Sequence, residues 1–102
     1  MTMDMAQRIR EDARLIILKE LEKQVDERLH SALLRDALMA FGGIDRPREW
    51  VHGELEWLAE IGAVRLNHAG SVLIATLTDK GARHLRRAIA IEGVTRPSRD
   101  GG

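Results

Sequence analysis

A chain of 102 residues, 44% apolar and 31% charged, is enough for one domain with a core of its own and too short for two. Sixteen basic residues balance sixteen acidic ones, so there is no cationic excess of the kind that by itself marks a nucleic-acid binder, and the absence of cysteine excludes disulfides, thiolate metal sites and thiol nucleophiles. No apolar run reaches the roughly 20 residues of a membrane span, and the first five residues lack the basic flank and apolar stretch of a signal peptide, so a cytoplasmic protein without membrane contact is expected.

In chain order, a first helix is expected from about Asp4 to Gln24, with Ile9, Ala13, Ile16, Ile17 and Leu21 on its core stripe and Glu11, Arg14, Lys19, Glu22 and Lys23 mostly on the other side. Leu15 and Leu18 widen the apolar face, which suits either broad burial or a self-association surface. Val25 to His30 suits a very short strand. Ser31 then caps a second helix whose Leu33, Leu34, Ala37, Leu38 and Phe41 recur at 3 and 4 spacing until Gly42. The connection through Gly43, Ile44 and Asp45 is short enough to set the next helix at a steep angle, with Ile44 filling the corner.

That third helix starts at Pro47, in the first-turn position that tolerates a missing N–H, with Asp45 or Arg46 as its cap. Val51, Leu55 and Leu58 share one face, and Gly62 supplies a left-handed stop. The pattern then alternates with period 2. Two strands, Ala63 to Asn67 and Ser71 to Leu77, flank a turn at Asn67-His68-Ala69-Gly70. Thr78 caps a last helix with Ala82, Leu85, Ala88 and Ile89 inward, and the glycine-, proline- and charge-containing stretch from Gly93 predicts a loose tail. The expected organisation is a domain over 1–92 and a flexible tail over 93–102. Its class is α+β, mainly α: a winged helix-turn-helix with a three-helix core, a β-hairpin wing and a C-terminal helix.

Several stretches carry a resemblance. Glu11-Asp12-Ala13-Arg14-Leu15, Ala40-Phe41-Gly42, the run from Leu55 to Val64, Ala75-Thr76-Leu77-Thr78 and Gly93-Val94-Thr95-Arg96-Pro97-Ser98 together resemble the small winged-helix-like proteins of Mu-like phages and prophages. The first four are signatures of the fold, and the Gly93 to Ser98 ending is what points to the phage proteins among winged helices at large.

In this architecture the third helix enters the DNA major groove and the wing touches the backbone or minor groove. The positions that would do so are Arg46, Arg48, Glu49 and His52 on the helix, with Gly53 allowing close approach and Glu56 alongside, and Arg65 and His68 on the wing. Charge argues partly against this. Between Asp45 and Glu60 five acids (Asp45, Glu49, Glu54, Glu56, Glu60) face two arginines, a balance that opposes a phosphate backbone. Lys80, Arg83, Arg86 and Arg87 give the last helix a secondary basic surface, and Trp50 marks a protein interface if exposed. His30, His52, His68 and His84 lie on separate elements without metal-ligand spacing, and no nucleophile motif or phosphate-cradling loop is present, so no metal, cofactor or enzymatic activity is expected. The reading is a phage or prophage protein that binds double-stranded DNA as a homodimeric transcription regulator. The alternative is a winged helix that contacts another phage protein, through Trp50 and the acidic face, without DNA.

Overall fold

The computed structural model describes residues 4–99 of the chain. Asp4 opens α1 (Met5–Glu22), its carboxylate accepting the Gln7 backbone N–H at 2.8 Å and so satisfying one of the first-turn donors that have no intrahelical partner. Ala13, Ile17, Leu18 and Leu21 are fully buried along this helix, while Ile9, Leu15 and Ile16 are only partly covered. The buried stripe is therefore rotated from the expected one, because α1 packs not against a single neighbour but against the other helices and the sheet together. Leu18 has no surface left for a partner, which corrects its place on a self-association face. Arg14, expected outside, is buried.

The chain leaves α1 through a turn in which Val25 is fully exposed, and β1 is only Arg28–His30. At the start of α2 (Ser31–Gly42) the cap is His30, whose Nδ1 accepts the Leu33 N–H, and not Ser31. The serine is occupied elsewhere: its buried Oγ accepts the backbone N–H of Leu73, one residue past the end of the β1 ladder, where β3 would otherwise carry an unpaired buried donor. Leu34, Ala37 and Leu38 enter the core. Leu33 and Phe41, expected beside them, are exposed, Phe41 by 64%. Ile44 does fill the corner, 7% exposed, and α3 (Arg48–Glu60) follows with Pro47 as its cap residue and no side-chain capping bond from Asp45 or Arg46.

Val51, Leu55 and Leu58 are buried as their spacing predicts. Gly62, at φ +83°, ends the element, and the following Ala63 N–H returns to the Leu58 carbonyl at 2.9 Å, the closure that a left-handed residue at this point permits. β2 (Val64–Ala69) and β3 (Val72–Leu77) form the wing. The turn is the two residues Gly70-Ser71 and not the expected 67–70, so the strands run further out and His68 lies within β2, opposite Leu73. β1 adds to the far side of β3, giving an antiparallel sheet in the order β1-β3-β2.

α4 (Asp79–Leu85) is capped by Thr78 as expected, its Oγ1 accepting the Gly81 N–H. It is shorter than the sequence suggests. Arg87 takes the left-handed conformation, φ +63°, and the Ala88 N–H closes back on the Arg83 carbonyl, so Ala88 and Ile89 are off the helix and Ala88 is exposed. The residues that α4 buries are Gly81 and His84.

The stretch expected as a loose tail is fastened along α1 as far as Thr95, and Arg87, just past α4, holds the Pro97 carbonyl. Ile91 and Val94 are buried at 7% and 6%, the Thr95 N–H bonds the Glu11 carbonyl, and the Thr95 hydroxyl donates to Asp12 Oδ1. Gly93 sits at φ +94° with room for nothing larger, since an added Cβ would lie 2.7 Å from the Trp57 ring. Small and polar residues in this stretch suggest mobility because the acceptors that hold it lie about eighty positions away. Each of the fully buried leucines and isoleucines of this core, among them Ile17, Leu38 and Leu55, contributes roughly 1.5–3 kcal/mol by leaving water. A three-helix core with a hairpin wing, α4 returning beside it, is a winged helix-turn-helix.

Candidate nucleic-acid interface

The face of α3 turned away from the core carries Arg48, Glu49, Gly53, Glu56 and Glu60, all exposed. Arg48 and Glu49 stand 3.8 Å apart with more than half of each side chain in solvent, an arrangement that holds neither strongly. Gly53 is the informative residue of this row. It is helical, its φ is ordinary, and a Cβ built on it meets nothing within 4 Å. The fold has no use for a glycine there, and a helix-interior glycine costs about 1 kcal/mol relative to alanine.

The other expected contacts are not all equally free. Arg46 is half-buried: its carbonyl accepts the Arg35 Nε–H at 2.7 Å, and its guanidinium lies over the Trp50 ring at 5.7 Å. Trp50 is itself partly buried against the core, so it is less of a free platform than its position off the Val51/Leu55/Leu58 line suggests. His52 Nε2 is 3.0 Å from Ser31 Oγ, which joins α3 to the start of α2 and, through the same hydroxyl, to β3. That link fixes how the helix and the wing sit relative to one another. Sequence reasoning missed Ser31 and Arg35 as the residues that orient the site, since each acts across more than ten positions with no local signal.

On the wing, alternation separates Arg65 from His68. Arg65 faces outward opposite Thr76, while His68 lies on the opposite face with Leu66 and Leu73, the face that packs on the helices nearer the body; at His68 the strand has passed beyond that cover and the ring is exposed. The structure therefore does not bring these two together on one surface. The secondary basic surface is divided as well. Lys80 reaches the Ile61 carbonyl at 2.7 Å, at the negative end of α3, and Arg87 Nη1 donates to the Pro97 carbonyl, whereas Arg83 and Arg86 are exposed.

The acidity of α3 is lower at its surface than in its sequence. Glu54 is 7% exposed and accepts from Arg14 Nε at 2.7 Å, with Arg10 at 4.0 Å, so four surface acids and not five oppose Arg46 and Arg48. Arg14 also donates to the Gly93 carbonyl at 2.9 Å and lies 3.7 Å above the Trp57 ring. This one guanidinium thus joins α1, α3 and the C-terminal segment.

No protein-family model matches the chain. Over 87 residues it is 32% identical to "Uncharacterized protein gp26" of Escherichia phage Mu, a match spanning 85% of this chain and 88% of the phage protein. Among solved structures it is similar to Sco3205, a MarR family transcriptional regulator from Streptomyces coelicolor in complex with DNA, with a TM-score of 0.60 and 23% identity over 81% of this chain and 52% of that one. The chain thus spans about half the length of that regulator. It is also similar to F93 from STIV, a winged-helix DNA-binding protein, with a TM-score of 0.54 and 15% identity over 85% of this chain and 87% of that one. At these identities the structural likenesses establish the fold. Among the described residues no helix is long and apolar enough to cross a membrane.

Proposed function

The chain belongs to the family of the phage Mu protein gp26, and on that membership and its winged-helix fold we propose that it is a double-stranded DNA-binding protein of a phage or prophage, acting as a homodimeric regulator. The single observation that carries the reading is Gly53: an exposed, sterically unneeded glycine in the middle of α3, where a second body would have to approach the helix backbone closely. Arg48 and Arg46 contact phosphate or guanine edges, Glu49 accepts from a cytosine amino group, and His68 or Arg65 reaches the flanking groove from the wing. His52 contributes by holding α3 against Ser31, and its remaining edge faces the DNA. That the two solved relatives in shape are described as DNA-bound or DNA-binding supports this reading.

Titration with random duplex DNA at increasing salt tests it. Binding is expected to weaken steeply, and the Arg46→Ala/Arg48→Ala protein should show a log–log slope smaller by about 1 for each phosphate it no longer neutralises. Gly53→Ala should melt later, by about 1 kcal/mol of added stability, and yet bind more weakly. Absence of binding at low salt by the folded protein would refute the proposal.

The homodimer draws support from a largely apolar groove of about 360 Å³ between α1 and the end of α2, lined by Ile9, Leu15, Ile16, Phe41, Gly42 and Ile44 with Asp12 as its one charged residue. Leu15→Glu, which puts a charge into that groove, should convert a dimer into a monomer in sedimentation; a wild-type monomer would remove the dimer from the proposal. A second reading is favoured by the exposed acids Glu49, Glu56 and Glu60 on α3: a basic surface of another phage protein, and not DNA, meets this helix, with Trp50 at the edge of the contact. Failure of the DNA titration alongside a Gly53→Ala defect in capture of such a partner would select it.

A further inference from the structure

The outer face of the sheet collects cationic donors from separate strands. In the order β1-β3-β2, Arg28 lies opposite Thr76 and Thr76 opposite Arg65, so the three form one cross-strand row. Alternation puts this row on the side away from the core, because the adjacent row of Leu29, Ala75 and Leu66 packs on the helices. Two strand spacings set the backbones of the arginines about 10 Å apart. Both arginines are exposed, and among the described residues neither guanidinium forms an ion pair or a side-chain hydrogen bond. The acids next along the chain, Asp26 and Glu27, precede β1, and Asp26 is turned to the Arg28 backbone N–H at 3.4 Å. The next row on the same face is His30, Ile74 and Asn67. His30 Nδ1 accepts the Leu33 N–H at 3.3 Å, so the ring proton sits on Nε2, which has no partner among the described residues. Beside Arg28 and His30 the surface dips into a shallow hollow of about 230 Å³ over Leu29, Leu33 and Ile74. No residue of the three strands is acidic, whereas α3 shows Glu49, Glu56 and Glu60 to solvent. The arginine row adds no cross-strand attraction to the sheet, since its two charges are alike.

We infer that the outer face of the sheet binds a phosphodiester backbone, with Arg28 and Arg65 each forked onto a phosphate, the Thr76 hydroxyl donating between them and His30 Nε2 beside Arg28. Guanidinium is the cation suited to this, since its planar donor fork matches two phosphate oxygens at once. The hollow over Leu29, Leu33 and Ile74 seats the apolar side of a sugar next to Arg28. This surface is separate from the Arg48 and Gly53 row of α3, and it joins Arg65 to β1 rather than to His68, which lies on the opposite face of β2. For duplex DNA as the source of the phosphates the inference rests on the function proposed above; a dinucleotide supplies the same chemistry independently of it.

The test uses the full chain, Arg28→Ala and Arg28→Ala/Arg65→Ala, with Arg8→Ala/Arg96→Ala as a control of equal charge change at exposed positions on other elements. With random duplex DNA, the log–log salt slope should be smaller by about 1 in the single variant and about 2 in the double, at about 0.9 per neutralised phosphate, and unchanged in the control. With the phosphorylated thymidine dinucleotide pTpT, the backbone NMR signals of Arg28, Arg65 and Thr76 should shift in the wild type and stay in place in the double variant. Duplex binding with an unchanged slope in the double variant, and no pTpT response at the sheet, would overturn the inference and leave the α3 reading standing. A pTpT response at the sheet without duplex binding would support the sheet site while the DNA reading fails. A control slope that falls as far as that of the double variant would trace the effect to overall charge and overturn the inference. A thermal midpoint of the double variant well below that of the wild type would show the two arginines to be structural, with the same consequence.

Discussion

Arg14→Ala should lower the free energy of unfolding by about 3–5 kcal/mol, the range found when one partner of a buried ion pair is removed. Three groups are stranded by the deletion. The Glu54 carboxylate, 7% exposed, keeps only Arg10, which is 4.0 Å away with its side chain 44% exposed. The Gly93 carbonyl is left without its donor, and the Trp57 face without the cation stacked on it at 3.7 Å. Arg14→Lys should recover little, because an ammonium cannot serve Glu54 Oε1, the Gly93 oxygen and the ring from one position. The double variant Arg14→Met/Glu54→Leu should recover most of the stability, since two apolar side chains of similar volume leave no stranded charge. Urea denaturation of the four proteins with a common m-value measures this. An Arg14→Ala effect below about 1 kcal/mol would show that water reaches Glu54 and that the pair is not closed.

This pair also shows where the sequence stops being informative. Arg14 and Glu54 are 40 positions apart, each follows a charged-looking stretch of its helix, and nothing local distinguishes them from the exposed Glu22 or Glu56. The signals that did translate into structure are those carried by backbone chemistry within one turn: Gly62 at the end of α3, Thr78 before α4, the Val51/Leu55/Leu58 spacing, and the switch from helical to alternating period that marks the wing. Where two neighbouring residues could play one part, local preference favours the commoner one and tertiary contacts select the other. Ser31 is the better cap by type, yet its hydroxyl is taken by Leu73 and His52, so His30 caps instead. The site follows the same division. Arg48 and Gly53 stand open on α3 as their spacing implies, whereas His52 and Arg46 are tethered by residues on α2 that no local pattern connects to them, and Arg65 and His68 fall on opposite faces once the true turn shifts the strand ends. Surface acidity could not be read from the count of acids because burial removes Glu54 from it.

His84→Leu should cost about 1–3 kcal/mol for each of the two backbone groups it strands, with side-chain volume nearly conserved. The imidazole is fully buried and both nitrogens are used in opposite senses: Nδ1 accepts the Ile91 N–H, and Nε2, which therefore carries the proton, donates to the Thr95 carbonyl. Leucine can do neither, so the Ile91 N–H is left buried without an acceptor. His84→Asn, whose shorter side chain can still offer an oxygen near the position of Nδ1, should be destabilised about half as much. The consequence reaches past stability. The histidine pins the segment from Ile91 to Thr95, and with that pin gone the remaining ties are the Thr95 bonds to Glu11 and Asp12, the Arg14 bond to Gly93 and the Arg87 bond to the Pro97 carbonyl. Amide exchange at Ile91, Val94 and Thr95 should accelerate more than at Leu38 or Leu55 in the core. Equal acceleration of exchange throughout the domain would instead mean that the segment from Ile91 to Pro97 unfolds only with the whole protein, and that His84 is a global clamp with no separate hold on that segment.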